Sequence, residues 1–154
     1  MNEDLRIRIA TVDDLQAIVR MLADDFLGGT REKVEESTSK NYIRAFHEID
    51  NDPNNELMVA ELDGKIVGTF QLTYTPSLSF QGGKRCTIES VRVGSNLRGQ
   101  GFGRKMMLWA INRAKEKGCV SMQLTTNSER KNAHRFYEKL GFEATHLGMK
   151  LKLK

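Results

Sequence analysis

Residues 5–10 (Leu5-Arg6-Ile7-Arg8-Ile9-Ala10) alternate apolar and basic side chains, which predicts a first strand with one dry face. Thr11 then precedes Val12-Asp13-Asp14, a hydroxyl at a helix start with acids in the first turn. Leu15, Ile18, Val19 and Leu22 recur at helical spacing, so a helix is expected to about Phe26, ended by Gly28-Gly29. A second helix, about residues 31–49, carries sparser apolar marks at Val34, Tyr42, Ile43 and Phe46. Residues 50–55, with Pro53, read as a loop. Residues 57–62 and 65–74 read as two strands joined at Asp63-Gly64, a hairpin signal. After a loop at 76–83, residues 84–93 form a further strand. A Gly-rich turn leads into a helix at about 101–117, closed by Gly118. Residues 120–125 are a strand and 132–140 a short helix stopped by Gly141. The remainder reads as one or two strands. This order predicts an α+β fold: a mixed, mostly antiparallel sheet with one buried strand-helix-strand unit. Phe102, Met106 and Trp109 share a helix face and are expected in the core. With no repeat and no Pro- or Ser-rich linker, residues 1–154 read as one domain.

Composition narrows the class of protein more than it names a task. A chain of 154 residues can bury a core without staples. Cys86 and Cys119 are the only cysteines and form no CxxC pair, so reduced thiols in a cytoplasm are expected rather than disulfides or a zinc site. His47, His134 and His146 have no metal-ligand spacing, and no metal is expected. The acidic start, Asn2-Glu3-Asp4, does not resemble a secretory leader, and no stretch has the length of a membrane span. The net charge of +4 is too small to choose between partners, and no helix-turn-helix pattern is present, so direct nucleic-acid binding is not expected. Part of the excess, Lys150, Lys152 and Lys154, alternates with Met149, Leu151 and Leu153. These lysines read as the wet face of a terminal strand that discourages edge pairing. The same exposed strand is a candidate for pairing across a two-fold axis in a homodimer.

The stretch richest in chemistry runs Val91-Arg92-Val93-Gly94-Ser95-Asn96-Leu97-Arg98-Gly99-Gln100-Gly101-Phe102-Gly103-Arg104. A strand runs into three alternate glycines, and a helix starts there. Glycines let a ligand approach bare N–H groups, and the first N–H groups of a helix lack partners at the positive end of its dipole. Together they suit a pyrophosphate. Arg98 and Arg104 add positive charge. A dinucleotide fold would want GxGxxG near the chain start and an acid on the next strand. Here the spacing is GxGxG and residues 120–125 hold no acid. A P-loop would want GxxxxGK[ST], which is absent. A tight turn that binds nothing leaves the coincidence of glycines, helix start and arginines unexplained.

Arg98-Gly99-Gln100-Gly101-Phe102-Gly103 resembles the R/Q-x-x-G-x-G/A motif of the GNAT superfamily of N-acetyltransferases. Phe136-Tyr137-Glu138-Lys139-Leu140-Gly141-Phe142 is similar to its other signature, FYxxLGF, in the same order and at the usual separation. The run Ala133-His134-Arg135-Phe136-Tyr137 also resembles a bacterial subgroup. The resemblance covers nearly the whole chain. It implies the GNAT fold, with helices on both faces of a sheet that splays between strands 84–93 and 120–125 into a V-shaped cleft. It implies acetyl-CoA as co-substrate and an amine of a small molecule or protein as acceptor. Val91, Arg92 and Val93 would pair their backbone with the pantetheine arm. Arg98, Gly99, Gln100, Gly101, Phe102, Gly103 and Arg104 would hold the pyrophosphate with main-chain N–H groups, and the helix at 132–140 would line the far side.

The same resemblance implies direct attack by the amine, with no acyl-enzyme, so neither cysteine is needed as a nucleophile. Tyr137 matches the family's tyrosine and is the candidate acid for the departing thiolate, against the reading of a ring that only packs. Glu89 is the candidate base. Strict alternation would put it on one face with Val91 and Val93 and half-bury it at the cleft, against a cross-strand salt bridge or a water chain. A backbone N–H near Val91 or Val93 would meet the oxyanion. Many members carry an asparagine seven residues before the tyrosine, where this chain has Arg130; Asn127 and Asn132 are candidate replacements, Arg130 itself is a candidate phosphate contact, and Asn132 is equally a candidate helix cap. Glu32, Glu35 and Glu36 are candidates to attract a cationic amine. A regulatory protein that keeps the CoA site as a sensor, and a nucleotide-dependent enzyme, are the rival readings.

Overall fold

The computed structural model describes residues 4–24, 32, 39–128 and 130–154. Five strands, β1 (Arg6–Ile9), β2 (Asn55–Leu62), β3 (Lys65–Thr75), β4 (Lys84–Val93) and β5 (Cys119–Gln123), form one sheet in the order β1-β2-β3-β4-β5. The first four pair antiparallel, and β4 pairs parallel with β5. Helix α4 (Phe102–Glu116) makes the β4-to-β5 crossover that a parallel pair requires. Helices α1 (Leu15–Ala23) and α2 (Lys40–Asp50) lie between β1 and β2 in the chain, and α5 (Lys131–Lys139) follows β5. The mixed, mostly antiparallel sheet and the one strand-helix-strand unit are those expected.

Alternation along the central strands feeds two cores on opposite faces. Met58, Ala60, Phe70, Leu72, Tyr74, Cys86 and Ile88 face α4, which answers with Met106, Met107, Ala110 and Ala114. Leu57, Val59 and Ile66 face the other way, towards Leu15, Ile18 and Val19 of α1 and Phe46 of α2. A Cβ on Gly68 would lie 2.5 Å from Met106 Sδ, so only glycine at this point of β3 lets α4 approach so closely. Phe102 and Met106 are buried, and the half-buried Trp109 ring packs on Phe70 at 5.9 Å, as the helical spacing predicts.

Two polar struts fix the layers. Arg8 on β1 forks onto Asp14, with N–O distances of 2.8 and 3.0 Å, while the Thr11 N–H donates to the same carboxylate at 2.8 Å. The Arg8 hydrogen bonds hold the Asp14 carboxyl below the usual carboxylate range, outweighing burial. On the other face the buried Glu56 accepts from Arg113 Nε at 3.0 Å and from the Tyr74 hydroxyl. Burial pushes the Glu56 carboxyl up, but the bonds from Arg113 and Tyr74 bring it below its ordinary value. Burial and the Glu56 charge push the Tyr74 phenol up.

Several expectations need correction. The first α-helix begins at Leu15 after a 3-10 turn at Val12–Asp14, and its expected end near Phe26 lies outside the described residues. The expected second helix is described only from Lys40, because residues 33–38 are outside the described set. The fourth strand is not a plain alternation: Ser90 takes φ 55° and the β3–β4 register shifts between Thr69 and Gln71. This bulge interrupts the face that Glu89 was expected to share with Val91 and Val93. The strands expected after residue 142 do not form. Residues 143–154 are exposed throughout and belong to no sheet.

Candidate active site

The sheet opens where β4 and β5 part. Their pairing runs only from Lys84↔Cys119 to Thr87↔Gln123, although β4 continues to Val93. Beyond Thr87, β4 therefore presents an edge that β5 does not pair, and the two strands form the sides of a wedge. On its other side β4 stays bonded to β3 through Thr69↔Arg92 and Gly68↔Val93. β5 does not pair the backbone at Val91 and Val93, whose carbonyls accept from the Arg92 and Arg98 guanidinium groups at 2.9 and 3.4 Å; such an edge is the kind that an extended amide chain can join as an extra strand.

At the end of β4 the chain passes a 3-10 turn (Ser95–Leu97) and enters α4 through Gly99 and Gly101, at φ 81° and 86°. Gly101 caps α4 in the left-handed conformation, which a side chain resists. A Cβ at either glycine would meet no atom within 4 Å, so the turn faces open space. The first turn of α4 leaves its N–H groups without helical acceptors on this side. Here the residues fit a pyrophosphate: amides in a tight turn at the positive end of a helix of 15 residues. Farther in, Gly103 lets α5 approach; its Cβ would lie 3.4 Å from Phe136 Cζ and 3.7 Å from Val93 Cγ2. This contact joins β4, α4 and α5 at one corner of the wedge.

Tyr137 sits in that corner, half-buried. Its ring packs edge-on against Phe136 at 5.1 Å and Phe142 at 5.9 Å. Among the described residues its hydroxyl has no hydrogen-bond partner. Burial pushes the phenol above the ordinary tyrosine value, while the charges of Arg92 and Arg130 pull it part of the way back. Tyr137 thus stays protonated at neutral pH and lies in the field of two guanidinium groups. Sequence reasoning valued Arg92 for its backbone and noted Arg130 as an anomaly; neither motif carried a signal that both reach the tyrosine.

The other candidates are placed as follows. Glu89 lies on β4 opposite Gln71, exposed rather than half-buried: it alternates with the buried Cys86 and Ile88, while the bulge at Ser90 puts Val91 and Val93 on the α4 side with them. Arg98 is engaged with the protein: its guanidinium donates to the Val93 carbonyl at 3.4 Å and to the Asp24 carbonyl at 2.8 Å, tying the turn to the end of α1. Gln100 donates to the Asn96 carbonyl at 3.3 Å. The Phe102 ring is buried, and Arg104 is exposed on the first turn of α4. Asn127 is exposed, and its carbonyl accepts from the Arg130 N–H at 2.9 Å. The cap of α5 is Arg130, so Asn132 lies within the first turn rather than at the cap. Glu32 accepts from the Tyr42 hydroxyl at 3.2 Å, and Glu35 and Glu36 lie outside the described residues. Thr126, just past β5, has a buried hydroxyl without a partner among the described residues, a feature with no sequence signal. Those residues hold no cluster of metal-binding groups and no helix long and apolar enough to cross a membrane.

The profile of the Acetyltransferase (GNAT) family matches residues 15–142. The chain belongs to that family. The GNAT match takes in both strands of the wedge, the glycine turn and Tyr137. A solved structure of a transcriptional regulator from Bacillus halodurans C-125 is 52% identical, covers 97% of this chain and 100% of its own, and superposes with a TM-score of 0.94. An aminoalkylphosphonate N-acetyltransferase of Salmonella typhimurium is 32% identical over 97 residues, which is 62% of this chain and 61% of that protein. A glucosamine 6-phosphate N-acetyltransferase of Trypanosoma brucei brucei is 33% identical over 90 residues, 58% of this chain and 59% of that protein. The chain therefore spans about three fifths of the length of these two GNAT relatives.

Proposed function

We propose that this GNAT protein transfers the acetyl group of acetyl-CoA to a primary amine of a small molecule. The observation that carries the reading is the wedge between β4 and β5, capped by the open glycine turn and holding a Tyr137 hydroxyl without a partner among the described residues. The amides of residues 99–104 hold the pyrophosphate, and the β4 edge at Val91–Val93 pairs with the pantetheine amides. When bound, acetyl-CoA supplies a thioester whose carbonyl is open to attack. Glu89 takes the proton of the attacking amine, directly or through water. A backbone N–H at Val91 or Val93 donates to the carbonyl oxygen as it gains charge. As the C–S bond breaks, Tyr137 gives its phenolic proton to sulfur, and the Arg92 and Arg130 charges steady the phenolate left behind. Asn127 and Asn132 flank the mouth near α5.

The test is turnover. The protein is incubated with acetyl-CoA and a panel of primary amines, beginning with aminoalkylphosphonates and amino-sugar phosphates, the acceptor classes of its relatives. Free thiol and the acetylated amine should appear in equal amounts with at least one acceptor. Binding of acetyl-CoA without turnover on any amine would contradict catalysis. It would favour the second reading, a regulatory protein that senses acetyl-CoA, which the likeness to a transcriptional regulator supports.

A further inference from the structure

Strict alternation along β4 would put Glu89 and Arg92 on opposite faces of the sheet. The bulge at Ser90 puts them on the same face. Val91 and Val93 join the core under α4 that holds Ile88, so Glu89 and Arg92 both project on the other side. The ladder agrees: Glu89 pairs with Gln71 and Arg92 with Thr69, two residues apart on β3 and therefore on one face. A carboxylate and a guanidinium thus stand on neighbouring rungs, about 6.8 Å apart along the strand. β3 and β4 are joined through the short α3 (Ser79–Gly82) at the far end of the pair, away from these rungs.

Both groups border the wedge. Arg92 Nη1 donates to the Val91 carbonyl at 2.9 Å, which holds the guanidinium near the β4 edge that β5 leaves. The contact of Gly103 with Val93 and Phe136 brings α5 against this end of β4. At the start of α5 stands a second half-buried arginine, Arg130. The charges of Arg92 and Arg130 both act on the Tyr137 phenol, so the two guanidiniums share one neighbourhood. An arginine fork carries several N–H donors in one plane and matches the oxygens of a carboxylate, phosphate or phosphonate. Two cations beside the reacting centre draw in anions and repel a second ammonium.

We infer that the acceptor carries an anionic group as well as its amine, and that Arg92, with Arg130, holds that anion while the amine meets Glu89. The inference rests on the acyl-transfer reading above and names the class of acceptor. One rung of the ladder sets the length: an amine a few carbons from a phosphonate, phosphate or carboxylate spans the two groups. Such a molecule meets a carboxylate with its cationic end and a guanidinium with its anionic end. A diamine would set its second ammonium against Arg92, and a neutral amine would leave the guanidiniums to water.

Acceptors that differ only in the group at the far end are the test. The intact chain is given acetyl-CoA with aminoethylphosphonate, β-alanine, ethanolamine or ethylenediamine, and kcat/KM is read for each. At least one of the two anionic acceptors should exceed ethanolamine by about tenfold or more, and the diamine should be poorest. This comparison needs no variant. Arg92→Gln should then cut the ratio of that anion to ethanolamine by about tenfold, and Arg92→Lys should keep part of it. The ratio cancels any loss of kcat common to all acceptors, such as one from a less steady phenolate. A wild-type preference for ethanolamine or the diamine overturns the inference, and so does a ratio that Arg92→Gln leaves as it was. Loss of acetyl-CoA affinity in that variant with the ratio kept would assign the guanidinium to the cofactor, which also overturns it. Turnover of no amine at all contradicts the acyl-transfer reading instead. The inference is then read by calorimetry on the CoA-loaded chain, where aminoethylphosphonate should bind about tenfold more tightly than ethanolamine. Equal binding, or none, overturns it.

Discussion

Replacing Tyr137 by phenylalanine separates a proton donor from a packing ring. The phenylalanine keeps the contacts to Phe136 and Phe142, at 5.1 and 5.9 Å. The lost hydroxyl has no partner among the described residues, so stability should change by less than about 1 kcal/mol. A positioned acid contributes about 10²–10⁴-fold to rate, or roughly 2.7–5.5 kcal/mol. The kinetic effect should therefore exceed the structural one several times over. Thiol release measured with a chromogenic disulfide is a suitable assay once the protein's own thiols are subtracted: burial pushes Cys86 up to about 12 and raises the half-buried Cys119 as well. The variant should lose kcat by about 10²–10⁴-fold with its affinity for acetyl-CoA unchanged. Because burial raises the Tyr137 phenol, the alkaline limb of wild-type kcat should lie above the ordinary tyrosine range and be absent from the variant. A kcat within about threefold of wild type, a difference of about 0.7 kcal/mol, would refute the role of Tyr137.

Further expectations concern the base and the two struts. Glu89→Gln should lower kcat by about 10²-fold or more; a kcat within about threefold of wild type would assign the proton to water instead. The Asp14 carboxyl is depressed in the fold, so its contribution is present above its unfolded value of about 3.9 and lost as pH falls below it. Asp14→Asn should accordingly lower the melting temperature at pH 7 and make little difference at pH 2, by calorimetry. Arg113→Met strands the buried Glu56 charge and should cost about 3–5 kcal/mol in urea denaturation, with Glu56→Gln in the same chain restoring part of it. A loss below about 1 kcal/mol would mean that water reaches the pair.

The parts of the fold ruled by local chemistry were legible in the sequence. Residues 84–93 were expected as a strand and form β4 over the same span, and the Asp63-Gly64 turn links β2 to β3 with both residues at positive φ. The glycine turn and the helix that it starts were legible because a left-handed cap and an open ligand face both call for glycine. The bulge at Ser90 was not legible. Serine carries no preference for φ 55°, so the distortion comes from β3 pairing and not from the local sequence. Missing it misplaced Glu89 on the face of two valines. Arg98 was valued as positive charge beside the glycine turn, yet its guanidinium binds two carbonyls of the protein. The convergence of Arg92 and Arg130 on Tyr137 joins three segments far apart in the chain, which no spacing rule reports. The tail alternates like a strand, but the expected strand does not form, because among the described residues it pairs with no sheet.

Calorimetric titration with acetyl-CoA, against NADH and ATP, tests most directly whether the wedge is an acyl-CoA site. Acetyl-CoA should bind one per chain and raise the melting temperature, while the two nucleotides should not. Gly101→Asp, which sets a carboxylate into the open space before the α4 amides, should abolish the heat of binding and leave the circular dichroism as it was. No binding of acetyl-CoA to the wild-type chain, or equal binding by Gly101→Asp, would contradict the assignment of this cleft.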